Sequence, residues 1–125
     1  MTNALAKASE WLSRMRRAHA ATPIVYRRDQ QTVEIDAQKL SVAVELDRGD
    51  GVTVEAQRTD WIVAIENLIL DGQPVTPLEG DRIEQQMGTK TFVYEVIPLG
   101  TDSHCRPAGP YGHDWRIHSK LVEVQ

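Results

Sequence analysis

His104, Cys105, His113 and His118 lie within fifteen residues of one another and include the side-chain types that bind zinc. Their spacing fits no standard zinc pattern, because His104 and Cys105 are adjacent where such sites place ligands two to four apart, and His118 falls in a strand-like run. A second chemistry is nucleophilic attack by Cys105, which requires a histidine base and an orienting acid. Nothing local positions that base, and Arg106 beside the thiol activates it only weakly. Gly88-Thr89-Lys90-Thr91 resembles the end of a phosphate-binding loop, but the first glycine is missing, the lysine is displaced by one residue, and a strand follows where a helix is required. The carboxylate pairs Glu79/Asp81 and Asp47/Asp50 sit at turns and on outer strand faces, where acids are common, and carry no catalytic role. No cofactor or metal is expected, and none of these residues is expected to catalyse a reaction.

The elements that must position these residues change character along the chain. Leu5, Ala8, Leu12, Met15 and His19 recur at spacings of three or four, the apolar stripe of an amphipathic helix over residues 1–22, with Trp11 beside it. Pro23 ends that helix, and Arg14, Arg16 and Arg17 fall toward its C-terminal end, where the helix dipole favours cations. Beyond Pro23 the period becomes two. Ile24 to Arg28 forms a short strand; Val33, Ile35 and Ala37 alternate with polar residues, as do Leu40, Val42, Val44 and Leu46, and then Val52, Val54 and Ala56. Arg48-Gly49-Asp50-Gly51 supplies a hairpin turn between the latter two runs, which also accounts for the adhesion-like tripeptide Arg48-Gly49-Asp50.

Asp60 to Ile65 is nearly continuous in apolar residues, as a strand covered on both faces. Glu66 to Leu70 suits a single helical turn before Asp71-Gly72-Gln73-Pro74 breaks the chain. Leu78-Glu79-Gly80-Asp81 launches a strand at Arg82, Met87-Gly88-Thr89-Lys90 turns it, and Thr91 to Tyr94 returns as its partner. Pro98 to Asp114, rich in proline and glycine, is expected to be a long loop, and Trp115 to Val124 a last strand. The fold class is therefore α+β, mainly β: a small antiparallel β-barrel over residues 23–125 with the N-terminal helix packed on it.

Composition sets the outer bounds. The 125 residues, 41% hydrophobic and 26% charged, suit one domain able to bury a core without staples. One cysteine excludes an internal disulfide, and the absence of a basic-then-apolar leader argues against secretion and membrane insertion. The net charge of −4 argues against a general nucleic-acid binder. Charge is nevertheless segregated: residues 1–28 hold Lys7, Arg14, Arg16, Arg17, Arg27 and Arg28 against Glu10 alone, whereas residues 29–84 are mostly acidic.

In the order of these pieces the chain resembles a known group. Trp11-Leu12, Val25-Tyr26-Arg27-Arg28, Asp60-Trp61-Ile62-Val63, Pro77 to Ile83, Phe92-Val93-Tyr94-Glu95-Val96 and Trp115 to Val122 together are similar to small tailed-phage and prophage head-tail joining, stopper or head-completion proteins, including prophage relatives labelled ATP-binding sugar transporter-like. The near-miss at Gly88 to Thr91 lends that label no support. The resemblance implies a barrel assembled as a homo-oligomeric ring between portal and tail proteins. It would act by contact, with DNA passing nearby without specific binding, in the virion and in the host cytoplasm during assembly. Candidate partner-binding residues, chosen by position on the helix and in the two long loops, are Arg14, Arg17, Arg48, Asp50, Arg106, Tyr111 and His113. A minor tail or tail-completion protein is the neighbouring alternative, and a small metal-binding or enzymatic barrel using residues 98–118 is the alternative of another class.

Overall fold

Alternation of apolar and polar residues produces nine strands among the described residues, joined mostly by short turns. The structure, a computed structural model, describes residue 7 and residues 21–47, 49, 51–98, 102–109 and 111–125. In chain order the elements are β1 (Thr22–Arg28), β2 (Gln31–Asp47), β3 (Thr53–Ala64), a 3-10 turn (Ile65–Asn67), β4 (Ile69–Leu70), β5 (Gln73–Pro74), β6 (Arg82–Met87), β7 (Lys90–Val96), β8 (Cys105–Ala108) and β9 (Asp114–Val124). All pairings are antiparallel. β1 lies between β2 and β6, β7 lies between β6 and β9, and β9 returns to β3, so six strands close into a barrel. Closure removes the open edges on which a sheet of this size would aggregate. β8 adds to β9 along Asp114 to Ile117, on the same edge that β7 takes further along.

The barrel interior is filled by one side of each strand: Ile24 and Tyr26, Ile35 and Ala37, Trp61 and Val63, Ile83, Tyr94 and Val96, and Ile117, with Leu68 and Leu70 in the same cluster. Trp61 meets Tyr94 edge to face, ring centroids 5.2 Å apart. Its indole N–H donates to Ser119 Oγ at 2.9 Å, and that hydroxyl donates to the Thr59 carbonyl at 2.7 Å, so the largest core side chain leaves no polar atom unpaired. Lys39 extends over both rings, its Nζ 5.8 Å from the Trp61 centroid and 5.3 Å from that of Tyr94, and donates to Gln85 Oε1 at 3.0 Å.

Turn residues follow the backbone they must adopt. Gly88, at φ 64°, opens the two-residue turn between Met87 and Lys90, and Asp71-Gly72, at φ 53° and 74°, turns β4 into β5, a hairpin where the sequence suggested only a break. Several expectations are corrected. The helix expected over 1–22 is left untested, since of that span only residues 7, 21 and 22 are described, and only its last residue is corrected, Thr22 belonging to β1. The runs at Val33 and Leu40 are one 17-residue strand, and those at Val52 and Asp60 are likewise one strand, β3. The stretch Pro98 to Asp114 is not all loop, since it contains β8.

The fused strands arise because β2 outlasts its barrel neighbour. Pairing with β1 ends at Ala37, whereas pairing with β3 runs unbroken from Ala37↔Val63 to Asp47↔Thr53. β3 in turn parts from β9 at Thr59↔Ser119. Residues 42–47 and 53–58 therefore continue as a two-stranded arm beyond the barrel wall, ~20 Å long at about 3.4 Å per residue.

Candidate functional site

Along the arm the apolar residues of the sequence occupy register positions out of phase with those of the barrel core. Within the barrel, β2 and β3 turn odd-numbered residues inward, from Val33 through Lys39 and at Trp61 and Val63. Beyond that point the even register positions hold the apolar residues: Val42 pairs with Arg58, Val44 with Ala56 and Leu46 with Val54. The odd pairs Ser41↔Thr59, Ala43↔Gln57 and Glu45↔Glu55 are mostly polar. The apolar alternation of the sequence thus changes phase by one residue along a continuous strand.

The root of this arm is braced by a buried ionic network on the same even side. Asp60 is completely buried. Its Oδ1 accepts from Arg58 Nε at 2.7 Å and from His118 Nδ1 at 2.9 Å, and its Oδ2 from Arg116 Nε at 2.8 Å and Arg58 Nη2 at 3.1 Å. Arg58 also reaches Asp102 at 3.4 Å. Burial alone would push the Asp60 carboxyl up, but the hydrogen bonds from Arg58, His118 and Arg116 outweigh it and hold the group below its ordinary 3.8. One carboxylate therefore ties β3, where the arm begins, to β9 and to the segment entering β8.

A second knot fixes the turn before β6. Tyr26 donates its hydroxyl to Asp81 Oδ2, Arg28 grips both Asp81 oxygens at 3.0 and 2.8 Å, and the Leu78 N–H caps the same carboxylate at 3.0 Å. Burial first, and the Asp81 hydrogen bond and charge after it, push the Tyr26 phenol far above its usual range. A strap joins this turn to β8: a His104 ring nitrogen lies 2.7 Å from the Pro77 carbonyl, and the His104 carbonyl accepts from the His118 N–H at 2.8 Å. Cys105 is partly buried beside it, and burial pushes its thiol up, the reverse of what a nucleophile needs.

The sequence-derived candidates separate accordingly. Arg14, Arg17, Arg48 and Asp50 lie outside the described residues. Arg106, Tyr111 and His113 share the β8–β9 hairpin: Arg106 is exposed opposite Arg116, and Tyr111, 41% exposed, stacks obliquely on His113 with centroids 6.2 Å apart. The His113 Nε2 and the Trp115 indole N–H are buried without a hydrogen-bond partner among the described residues. The histidines do not converge: His104 serves Pro77, His113 lies against Tyr111, and His118 serves Asp60, and among the described residues no three His, Cys, Asp or Glu side chains are grouped to hold a metal. Sequence reasoning passed over Arg58, Asp60 and Arg116. Their signal was present in Arg58-Thr59-Asp60 and Arg116-Ile117-His118, where polar residues two apart interrupt apolar strands and so share one face.

A closed barrel that spends its buried charges on bracing an arm and strapping down loops belongs to the class of small structural β-barrels. Comparison with protein-family models is more specific: the model described as "Phage head-tail joining protein" matches residues 2–125, so the chain belongs to that family. A search of curated proteins finds no match. No helix among the described residues is long and apolar enough to cross a membrane.

Proposed function

We propose that the protein joins phage head to tail by contact alone, as a ring of identical subunits of the connector, stopper or head-completion kind, with no catalysed reaction. The observation that carries this reading is the two-stranded arm that continues β2 and β3 beyond their barrel neighbours, its root held by Asp60. An apolar stripe on a projecting ribbon is best satisfied by a neighbouring surface, and backbone pairing along a strand edge would add to it. Membership of the head-tail joining family supports head and tail proteins as that neighbour and the virion as its location; assembly itself would take place in the host cytoplasm.

Arg48 and Asp50, between β2 and β3 in the sequence, and Arg106, Tyr111 and His113 on the β8–β9 hairpin, are the proposed partner contacts, with Arg14 and Arg17 on the N-terminal segment. A net charge of −4 keeps the ring from retaining DNA that passes through it. The test is deletion and restoration of the gene in the encoding phage or induced prophage, followed by electron microscopy. Filled or leaking heads beside finished, unattached tails are expected. Sealed, full heads beside defective tails would move the protein to the tail-completion step, and normal infectious particles would overturn the reading.

A further inference from the structure

We propose that the β8–β9 hairpin of one copy of this chain seats in the acidic groove beside the 3-10 turn of a second copy. This contact rests on the ring reading above and names the two faces by which neighbouring subunits would meet. Arg106 and Arg116 stand directly opposite each other on β8 and β9. Like charges so placed repel, and an anion beside them relieves the repulsion. Arg116 has the Asp60 carboxylate at 2.8 Å, whereas Arg106 is exposed and has no ion-pair partner among the described residues. Tyr111, 41% exposed, lies in the turn of the same hairpin, where Gly109 and Gly112 hold φ 81° and 66°. Tyrosine and arginine are among the side chains enriched at the energetic centres of protein contacts.

The groove offers what the hairpin lacks. It has a volume of about 570 Å³ and is lined by Glu34, Asp36 and Glu66, with Pro23 and Ile69 as apolar surface. The three carboxylates are exposed without an ion-pair partner among the described residues, and Ile69 is 41% exposed. Glu34 and Asp36, two apart on β2, share one face and so repel each other. The arginines of the adjoining strand are already engaged, Arg27 with Glu84 at 2.6 Å and Arg28 with Asp81 at 2.8 Å. An arginine entering from outside therefore relieves like-charge crowding on both sides of the contact, while the Tyr111 ring covers Pro23 and Ile69. The two faces are distinct: the hairpin meets the 3-10 turn at Ile65, whose N–H donates to the His113 carbonyl at 3.1 Å, and the groove begins at Glu66. One copy can then give its hairpin to one neighbour and take the hairpin of another, a head-to-tail contact of the kind that builds rings. The arm stays available to head and tail proteins.

The test replaces Tyr111 by photo-reactive benzoylphenylalanine in the full chain and irradiates purified phage particles that hold no other copy. Covalent dimers and longer multimers of the chain are expected, cross-linked to residues between Pro23 and Asp36 or between Glu66 and Ile69. Glu34→Lys with Asp36→Lys should remove these products and infectivity together, and adding Arg106→Glu to the same chain should restore both. The same charge swap made with Tyr111 in place reads the contact through infectivity alone, so a probe too bulky for assembly does not decide the matter. Infectious particles whose cross-links are missing, stay within one chain, stop at dimers or run to another protein overturn this contact and leave the joining role standing. A charge swap that fails to restore infectivity overturns it as well. Infectious particles lacking the chain would overturn the joining role, and this contact with it.

Discussion

Asp60 is the side chain on which most of the buried charge depends, since it takes four hydrogen bonds from three residues with no exposure to water. Removing one member of such a group leaves the others buried and uncompensated, so Asp60→Asn is expected to cost about 3 kcal/mol at neutral pH, measured by urea unfolding. The carboxyl is held below its ordinary 3.8, so its contribution is complete above that value and disappears as pH falls through the lower, folded value. The gap between Asp60→Asn and the parent should therefore close below about pH 3.8; a gap that persists there would show the loss to be steric. Tyr26 behaves in the opposite sense. Its phenol is raised above the ordinary 10.0, so the unfolded chain ionises first and stability falls as pH rises past that point. Tyr26→Phe is expected to cost about 1 kcal/mol at neutral pH, because Asp81 keeps Arg28 and the Leu78 N–H, and to remove this part of the alkaline loss. Equal alkaline sensitivity in the two proteins would place the titrating group elsewhere.

At the scale of elements, turn chemistry decides register. Gly88 holds φ 64° with nothing within 4 Å of where a Cβ would stand, so Gly88→Ala is a test of backbone conformation alone. It is expected to destabilise the barrel by about 1 kcal/mol with the β6–β7 pairing kept, checked by thermal unfolding and by amide exchange along Gln85 to Phe92. This hairpin was legible from its glycine and its β-branched return strand, and so were most strand positions, because alternation is a local property. The arm was only half legible. The alternation at Val33 to Ala37 and that at Leu40 to Leu46 are out of phase, which resembles two strands, and the length of β1, which sets where β2 outlasts its neighbour, is not visible from within β2. β8 was hidden for a different reason: Cys105-Arg106-Pro107-Ala108 has the composition of a loop, and proline is tolerated because this strand lies at the edge of its sheet. The Asp60 network was written in the sequence as two Arg-x-acid or Arg-x-His pairs, but its assembly depends on β3 and β9 being neighbours across a long stretch of chain.

For the whole molecule, the proposed function assigns stability to the closed barrel and contact to the projecting arm. The core side chains named above come from β1, β2, β3, β6, β7 and β9, with Leu68 and Leu70 beside the 3-10 turn. Deleting residues 43–47 together with 53–57 would leave Val42 and Arg58 facing each other across the original turn, with the Asp60 brace still supplied by β3 and β9. Equal removal from both strands preserves register, so the barrel should fold as before, with a change in stability of about 1 kcal/mol or less, as expected for a change remote from the core. The same chain expressed in a phage lacking its own copy should fail to restore infectivity, leaving heads and tails unattached, because the arm proposed to reach a neighbour is gone. If the shortened chain supports assembly, the contact lies on the barrel or its β8–β9 hairpin, and substitutions at Arg106 and Tyr111 become the next discriminating pair. Collapse of the barrel in the shortened chain would instead show that the arm belongs to the folding unit, against the division of labour that the core and the Asp60 network imply.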